Sequence, residues 1–312
     1  MGCVSSNTAY AEISVNSKRK YAFMRTNKLT PWLYILPAVS VLFFFLVYPS
    51  LNTIYISFFN HNSEEFIGFK NFLFCFTNQV MQNSFRNNAL WVAIFVPACV
   101  FLGLIIAVIV DRVKYESTIK SIIFMPMAIS FVGAGVIWKF VFAYRPAADA
   151  QTGILNALRS FFHYKPLPWL IMKPWINNFC LIMVGVWIWT GFCMVILSAN
   201  YKGIPREILE AARVDGANEF RIFWKIILPL MKPTIAVVST TMIINVLKVF
   251  DIVYVMTNGN FNTEVIANRM YKEMFLFRNF GRASAIAVIL LVLIVPMIVI
   301  NIQRFREQEI IR

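Results

Sequence analysis

Residues 206–229 read REILEAARVDGANEFRIFWKIILP. The stretch is too charged to cross a bilayer and too regularly patterned to be a slack connector, and apolar segments flank it on both sides. Pro205, with its fixed φ and missing N–H, suits the opening of a helix. From Arg206 the spacing predicts an apolar stripe of Ile208, Leu209, Ala211 and Ala212. Arg206, Glu210 and Arg213 fall on the other side at i,i+4 and i,i+3 spacing. Ala211 and Ala212 add almost no bulk, so another surface can approach closely. Asp215-Gly216 stops the helix, because glycine readily takes the left-handed conformation that closes a helix end. Asn218 caps the next helix. Phe220, Phe223, Trp224 and Ile227 then form a bulky apolar face, and Leu228-Pro229 marks the start of the following span. Such a helix–turn–helix presents a docking surface to something soluble; the same pattern also suits a helix lying on lipid headgroups.

The chain as a whole is apolar. Its 312 residues are 59% hydrophobic and 14% charged, with mean hydropathy +0.66. A soluble domain carries about 45–50% apolar and about 25% charged residues, so this is an all-α membrane protein. A spanning helix needs roughly 20 apolar residues. Six runs qualify: Trp32 to Phe58, Leu90 to Val110, Ile122 to Phe142, Phe179 to Ala199, Thr234 to Met256 and Ala283 to Ile302. Pro37, Pro49, Pro97 and Pro126 fall inside or at the ends of these runs, which a helix bundle tolerates. The predicted organisation is a polar tail at 1–29, a membrane domain at 30–303 with its docking loop at 201–229, and a second tail at 304–312.

The net charge of +14 is not a sign of nucleic-acid binding. Of the 29 Lys and Arg, 17 fall in one set of alternate loops and ten in the other, with Lys139 and Lys248 inside spans. The richer set faces the cytoplasm by the positive-inside rule. An even number of spans then places both termini there, in a cell-membrane protein with no cleaved leader, since no apolar run precedes Lys18. Met1-Gly2-Cys3-Val4-Ser5-Ser6 matches an acylation pattern, read as coincidence in a multispan protein. Five cysteines, an odd number lying mostly in or beside spans, indicate neither a disulfide framework nor a metal cluster. His61 and His163 have no ligand neighbours and read as loop residues. No cluster of His, Asp or Glu suggests a catalytic centre, and no phosphate-binding G-x-x-x-x-G-K-[ST] loop occurs.

Glu210-Ala211-Ala212, Asp215, Gly216, Ala217, Ile226, Leu228 and Pro229 fall at the spacing of the EAA loop, so the chain resembles the permeases of ATP-binding-cassette importers. The resemblance runs from about Pro31 to Ile302. Phe66 to Phe72, Gly153 to Asn156 and Thr257-Asn258-Gly259 look like the carbohydrate-uptake branch, similar to the maltose and glycerol-phosphate permeases. Met125 to Phe140 and Lys248 to Gly259 look like the α-glucoside and glucosylglycerol permeases. The resemblance implies the transmembrane domain of a type I importer, with a second homologous permease, two ATPase subunits and an extracytoplasmic solute-binding protein as partners. ATP and Mg would be bound by the ATPase, not by this chain. The helix ending near Gly216 would dock into the ATPase, with Glu210 facing a basic residue there. The expected cargo is a glucoside such as glucosylglycerol, sucrose or trehalose.

Ionisable residues within a bilayer are functional candidates. Lys248 and Asp251, at i,i+3, either pair at the membrane interface or line a sugar path. Thr241 and Asn245, at i,i+4, continue Lys248 into one polar face. Trp187, Trp189 and Thr190 on the fourth span would add flat aromatic surface and a hydroxyl. Gly133, Gly135, Gly185 and Gly191 permit close helix contact. A channel or ion-coupled transporter is the rival reading, and the spans offer it few coupling groups.

Overall fold

Capping side chains start three helices of this chain, at Asn78, Ser130 and Asn218, and a buried proline marks one of its breaks. The computed structural model describes residues 30–111, 113–146 and 149–311, with side chains over 32–304 of these. The polar tail at 1–29, with its acylation pattern and Cys3, lies outside them. The chain divides into two units, Met1–Thr53 and Ile54–Arg312. The first holds most of α1 (Trp32–Ile56), an apolar helix interrupted by a π-helical turn at Phe43–Val47.

The second unit runs α2 (Lys70–Thr77), α3 (Gln79–Val110), α4 (Glu116–Phe124), α5 (Phe131–Val141), α6 (Ile154–Phe161), α7 (Ile176–Lys202), α8 (Arg206–Val214), α9 (Glu219–Leu247), α10 (Asp251–Met256), α11 (Ile266–Tyr271) and α12 (Phe280–Ile311). Among the described residues extended pairing is limited to one isolated bridge, Phe59 to Phe66. Helices α1, α3, α7, α9 and α12 are each long and apolar enough to cross a membrane.

The third expected span is not one straight helix. Segments Glu116–Ala128 and Phe131–Val141 meet at 96°. Met125–Ala128 tighten into a 3₁₀ turn around buried Pro126, and Ile129 and Ser130 are extended. The Ser130 hydroxyl then accepts from the Gly133 N–H at 3.0 Å and starts a new helix. The fifth expected span is also broken, because α9 stops at Leu247 and α10 begins at Asp251. Helix α3 starts well before Leu90, since the Asn78 carboxamide caps it by accepting from Val80 and Met81. At 32 residues it is about 48 Å long, against roughly 30 Å of hydrocarbon. Helix α12 continues to Ile311, through the segment expected as a tail.

Helices α3, α7 and α9 enclose the main core, with Trp91, Phe95 and Leu104 against Leu181, Ile188, Met194, Val238 and Met242. A second cluster of Cys75, Met81, Ile266, Ala285 and Ile286 joins α2, α3, α11 and α12. Gly191 on α7 sets the closest approach to the broken span: a Cβ there would lie 2.6 Å from the Ile123 carbonyl oxygen and 2.7 Å from the Phe124 Cα. Both are backbone atoms, so neither can rotate aside. Gly191→Ala should therefore cost about 1–3 kcal/mol of overpacking, read as a lowered unfolding midpoint in detergent, while Ala134→Gly, which relieves rather than fills space, leaves that contact intact.

Candidate functional site

Two regions at opposite ends of the bundle carry the candidate residues. The first is the loop between α7 and α9. Pro205 precedes α8 in an extended conformation, Glu207 lies in the first turn and Arg213 in the last, as the helix dipole favours. Gly216 has φ +79°, its N–H donates to the Arg213 carbonyl at 3.0 Å, and the Ala217 N–H donates to the Ala212 carbonyl at 3.0 Å. This pair of bonds is the Schellman closure of a helix. The Asn218 carboxamide then accepts from the Arg221 N–H at 2.8 Å, and Arg213 pairs with Glu219 at 2.8 Å across the turn.

The buried side of this unit is narrower than expected. Leu209 and Ala212 are buried, whereas Ile208, Glu210 and Ala211 are exposed. Positions 209 and 212 lie about 60° apart on the buried face, with 208 at its edge and 211 beyond it. Beyond the turn, Ile222 and Ile227 point into the core, so Ile227 does not share the outward face. Phe220 and Trp224 form that face, with Val214 beside the turn 88% exposed and Phe220 72% exposed. Ile226 and Leu228 are half-buried, Asp215 and Pro229 exposed. A π-helical turn at Phe223–Ile227 carries the chain into the membrane-crossing part of α9.

Beside α8 lies an open cavity of about 660 Å³ lined by Asp111, Glu116, Lys202, Arg206, Glu210, Arg213 and Glu219, among others. Glu116 pairs with Lys120 and with Lys202, whose Nζ also lies 3.7 Å from Asp111. Lys120 further bonds the Ser198 hydroxyl. The short turn after α3 is thus fastened to the end of α7. Sequence reading treats it as a simple turn; the Glu116/Lys120 spacing of i,i+4 is the one local sign of it.

The second region is the break between α9 and α10. A cavity of about 280 Å³ is lined by Phe131, Trp189, Asn245, Lys248, Val249, Phe250, Asp251 and Ile252. Four of the predicted path residues therefore meet: Trp189, Asn245, Lys248 and Asp251. Lys248 and Asp251 face the same space, and among the described residues no ion pair joins them. The Trp189 ring stacks on Phe131 at 5.8 Å and 25°, forming a flat aromatic wall. The other three candidates lie elsewhere. Trp187 packs edge-on against Trp138. The Thr190 hydroxyl is buried and donates to the Val186 carbonyl at 2.6 Å. Thr241 neighbours Asn245, whose carboxamide donates to the Thr241 carbonyl at 3.0 Å, but its hydroxyl accepts from Asn301 of α12 at 3.2 Å and it does not line the cavity. Lys139 donates to the Val255 carbonyl at 3.4 Å.

Four buried asparagines hold this region, none of them singled out by sequence. Asn88 donates to the Val246 and Leu247 carbonyls at the end of α9, at 3.5 and 3.4 Å, and accepts from the Ile266 N–H at 2.9 Å. Asn87 donates to the Asn262 and Glu264 carbonyls, Asn177 to Phe261 and Asn178 to Asn262. The loop they grip contains the predicted Thr257-Asn258-Gly259-Asn260 turn, and Lys272 closes it by donating to the Asn258 carbonyl and pairing with Glu264 at 2.7 Å. A ladder of Phe250, Tyr254, Tyr271 and Phe275 runs outward from the cavity. The hydrogen bond that the Tyr271 hydroxyl makes to Tyr254, and then the charge that the Tyr254 phenol can carry, push the Tyr271 phenol up.

The pattern of the "binding-protein-dependent transport system inner membrane component" family matches residues 99–312. The chain belongs to that family. The permease is 57% identical over 280 residues to the "osmoprotective compounds uptake permease protein" GgtC of Synechocystis sp., covering 90% of this chain and all of that one. It is 45% identical over 284 residues to the "alpha-glucoside transport system permease protein" AglF of Rhizobium meliloti, covering 91% and 84%. Its fold matches a chain of a bacterial ABC transporter "involved in the import of the acidic polysaccharide alginate", with TM-score 0.74 at 20% identity over 95% of this chain and 99% of that one. It is therefore a multi-pass transport component with the fold of a type I importer domain, and not an enzyme.

Gly216 tests the loop geometry directly. A Cβ there would meet nothing within 4 Å, so Gly216→Ala carries only the cost of a left-handed backbone, about 1–3 kcal/mol. Gly216→Asn should cost less, because Asn tolerates that conformation. Equal unfolding midpoints for glycine, asparagine and alanine variants would contradict the closure described.

Proposed function

We propose that this permease is one half of the pore of an ATP-driven importer that carries a glucoside osmolyte into the cytoplasm: glucosylglycerol, sucrose, trehalose or a related α-glucoside. The observation that carries this reading is the full-length similarity to an osmoprotectant permease, supported by the α-glucoside relative. A second homologous permease, two ATPase subunits and a solute-binding protein complete the importer. A solved relative, the bacterial alginate transporter, is described in complex with a periplasmic protein bound to an alginate pentasaccharide, which supports the last of these.

In this reading α8 is the coupling helix. Leu209 and Ala212 hold it to the bundle while Glu210, Ala211, Asp215 and the exposed Val214 and Phe220 meet the ATPase. ATP and Mg belong to that partner, and both termini of the permease lie in the cytoplasm with the docking loop. A stiff helix closed at its C-terminal end transmits displacement that a slack loop would absorb. At the other region, Trp189 and Phe131 offer a sugar ring a flat wall, and Asn245, Lys248 and Asp251 offer donors and acceptors for its hydroxyls. About 280 Å³ is at the small end of ligand sites, which run about 300–1,000 Å³. That size suits a site whose facing wall comes from the second permease.

The assembled importer in proteoliposomes should accumulate labelled glucosylglycerol only with ATP inside, and unlabelled sucrose or trehalose should compete. Glu210→Lys and Gly216→Pro should each abolish uptake. Accumulation driven by an ion gradient without ATP would contradict the proposal.

A further inference from the structure

Helix α6 presents an apolar stripe that nothing among the described residues covers. Ile154, Leu158 and Phe161, at i, i+4 and i+7, are 66%, 54% and 77% exposed, and Phe162 and Tyr164 beside them are also exposed. The opposite side is fixed. Asn156 is fully buried, donates to the Ala143 and Leu167 carbonyls at 2.9 and 3.0 Å, and accepts from the Leu167 N–H and the Trp169 indole. The helix is therefore locked in orientation with its apolar stripe outward.

Its place in the chain sets its depth. Helix α6 lies between the end of α5 and the start of α7, and α7 runs to the docking loop, so α6 sits at the far end of the bundle from that loop. Ala143, whose backbone it grips, itself lines a largely apolar surface hollow with Val136, Phe140, Tyr144 and Ile171 and one cation, Lys139. The charge of the surrounding segment is mostly of one sign: the connection from α5 to α7 contains Arg145, Arg159, Lys165 and Lys173 against one acid, Asp149. Arg159 lies over the rings of Tyr164 and Trp169, with its Nε donating to the Lys165 carbonyl at 3.0 Å.

We infer that α6 is an interfacial helix, with Ile154, Leu158 and Phe161 inserted at the headgroup–acyl boundary and Lys165 and Lys173 drawing anionic phospholipid headgroups. Amphipathic helices with an aromatic apolar face and basic flanks bind bilayers this way, and aromatic rings concentrate at that depth. The segment would fix the height of the α5–α7 connection against the membrane while the opposite end of the bundle is displaced. The inference rests on membrane residence and on these residues, and is independent of which solute is carried.

Bimane on Leu158→Cys in the assembled importer tests it, in a Cys3→Ser background. Cys75, Cys99, Cys180 and Cys193 are buried and should stay unlabelled. In vesicles of phosphatidylethanolamine and phosphatidylglycerol, shallow-brominated lipid should lower the emission, as the depth of an interfacial helix requires, and aqueous iodide should leave it unchanged. The bromolipid effect should grow with the phosphatidylglycerol fraction, and Lys165→Gln with Lys173→Gln should remove that growth. Phe161→Cys gives a second position should the first variant fail to assemble. A label quenched by iodide and not by bromolipid, or one shielded only when a solute-binding protein is added, overturns the inference.

Discussion

The bond from the Ala217 N–H to the Ala212 carbonyl can form only if residue 216 turns left-handed, and that constraint organises the polar end of this permease. It ends α8 after nine residues and reverses the chain within a short turn, so that Asn218 can start the next helix. With the reversal in place, Leu209 and Ala212 on one arm and Ile222 and Ile227 on the other reach the same core. Their burial leaves Val214, Phe220 and Trp224 outside. Exposed apolar groups on a rigid polar loop are costly for a surface that meets only water, and they suit a surface that meets a protein.

The two ends of the bundle are fastened differently. At the loop end, ion pairs of Glu116 with Lys120 and Lys202 join the turn after α3 to α7. These groups are partly exposed, and pairs of this kind contribute little net stability, about 0–1 kcal/mol; their effect is to fix position. At the far end, buried carboxamides grip backbone carbonyls, and removing such a partner costs about 1–3 kcal/mol. Asn88 is tied both to the end of α9 and to the start of α11, so the broken span carrying Lys248 and Asp251 is held to α3. In the proposed importer, displacement applied at α8 would reach the aromatic cavity through α9, with the asparagines keeping the cavity's floor in register.

Much of this was legible in the sequence, and the failures share a cause. Gly216 and the Asn218 cap are local chemistry, and both stand where the loop pattern puts them. The apolar runs locate the spans because burial in lipid needs length and composition alone. The break in the third span was hidden inside such a run: Pro126 reads as a tolerated proline, and Ser130 reveals itself as a cap only once Ile129 is known to be extended. Thr241 is the neighbour of Asn245 that its spacing gives, but Asn301, 60 residues away, claims its hydroxyl and it stays out of the cavity lining. The asparagine pairs at 87–88 and 177–178 reach partners 84 to 178 residues distant, beyond any periodic signal. Gly216 speaks through its own backbone; Asn87 speaks only through the fold.

The central claim is that α8 moves as a rigid lever held by an ATPase. Spin labels at Ile208→Cys and Val214→Cys in the assembled importer, each paired with a label on the ATPase subunit, measure it directly by double electron–electron resonance. The account predicts short distances from both positions, a joint shift when a non-hydrolysable ATP analogue binds, and an unchanged separation between 208 and 214. Two mobile labels with no ATPase nearby, or a 208–214 separation that changes with nucleotide, would contradict it.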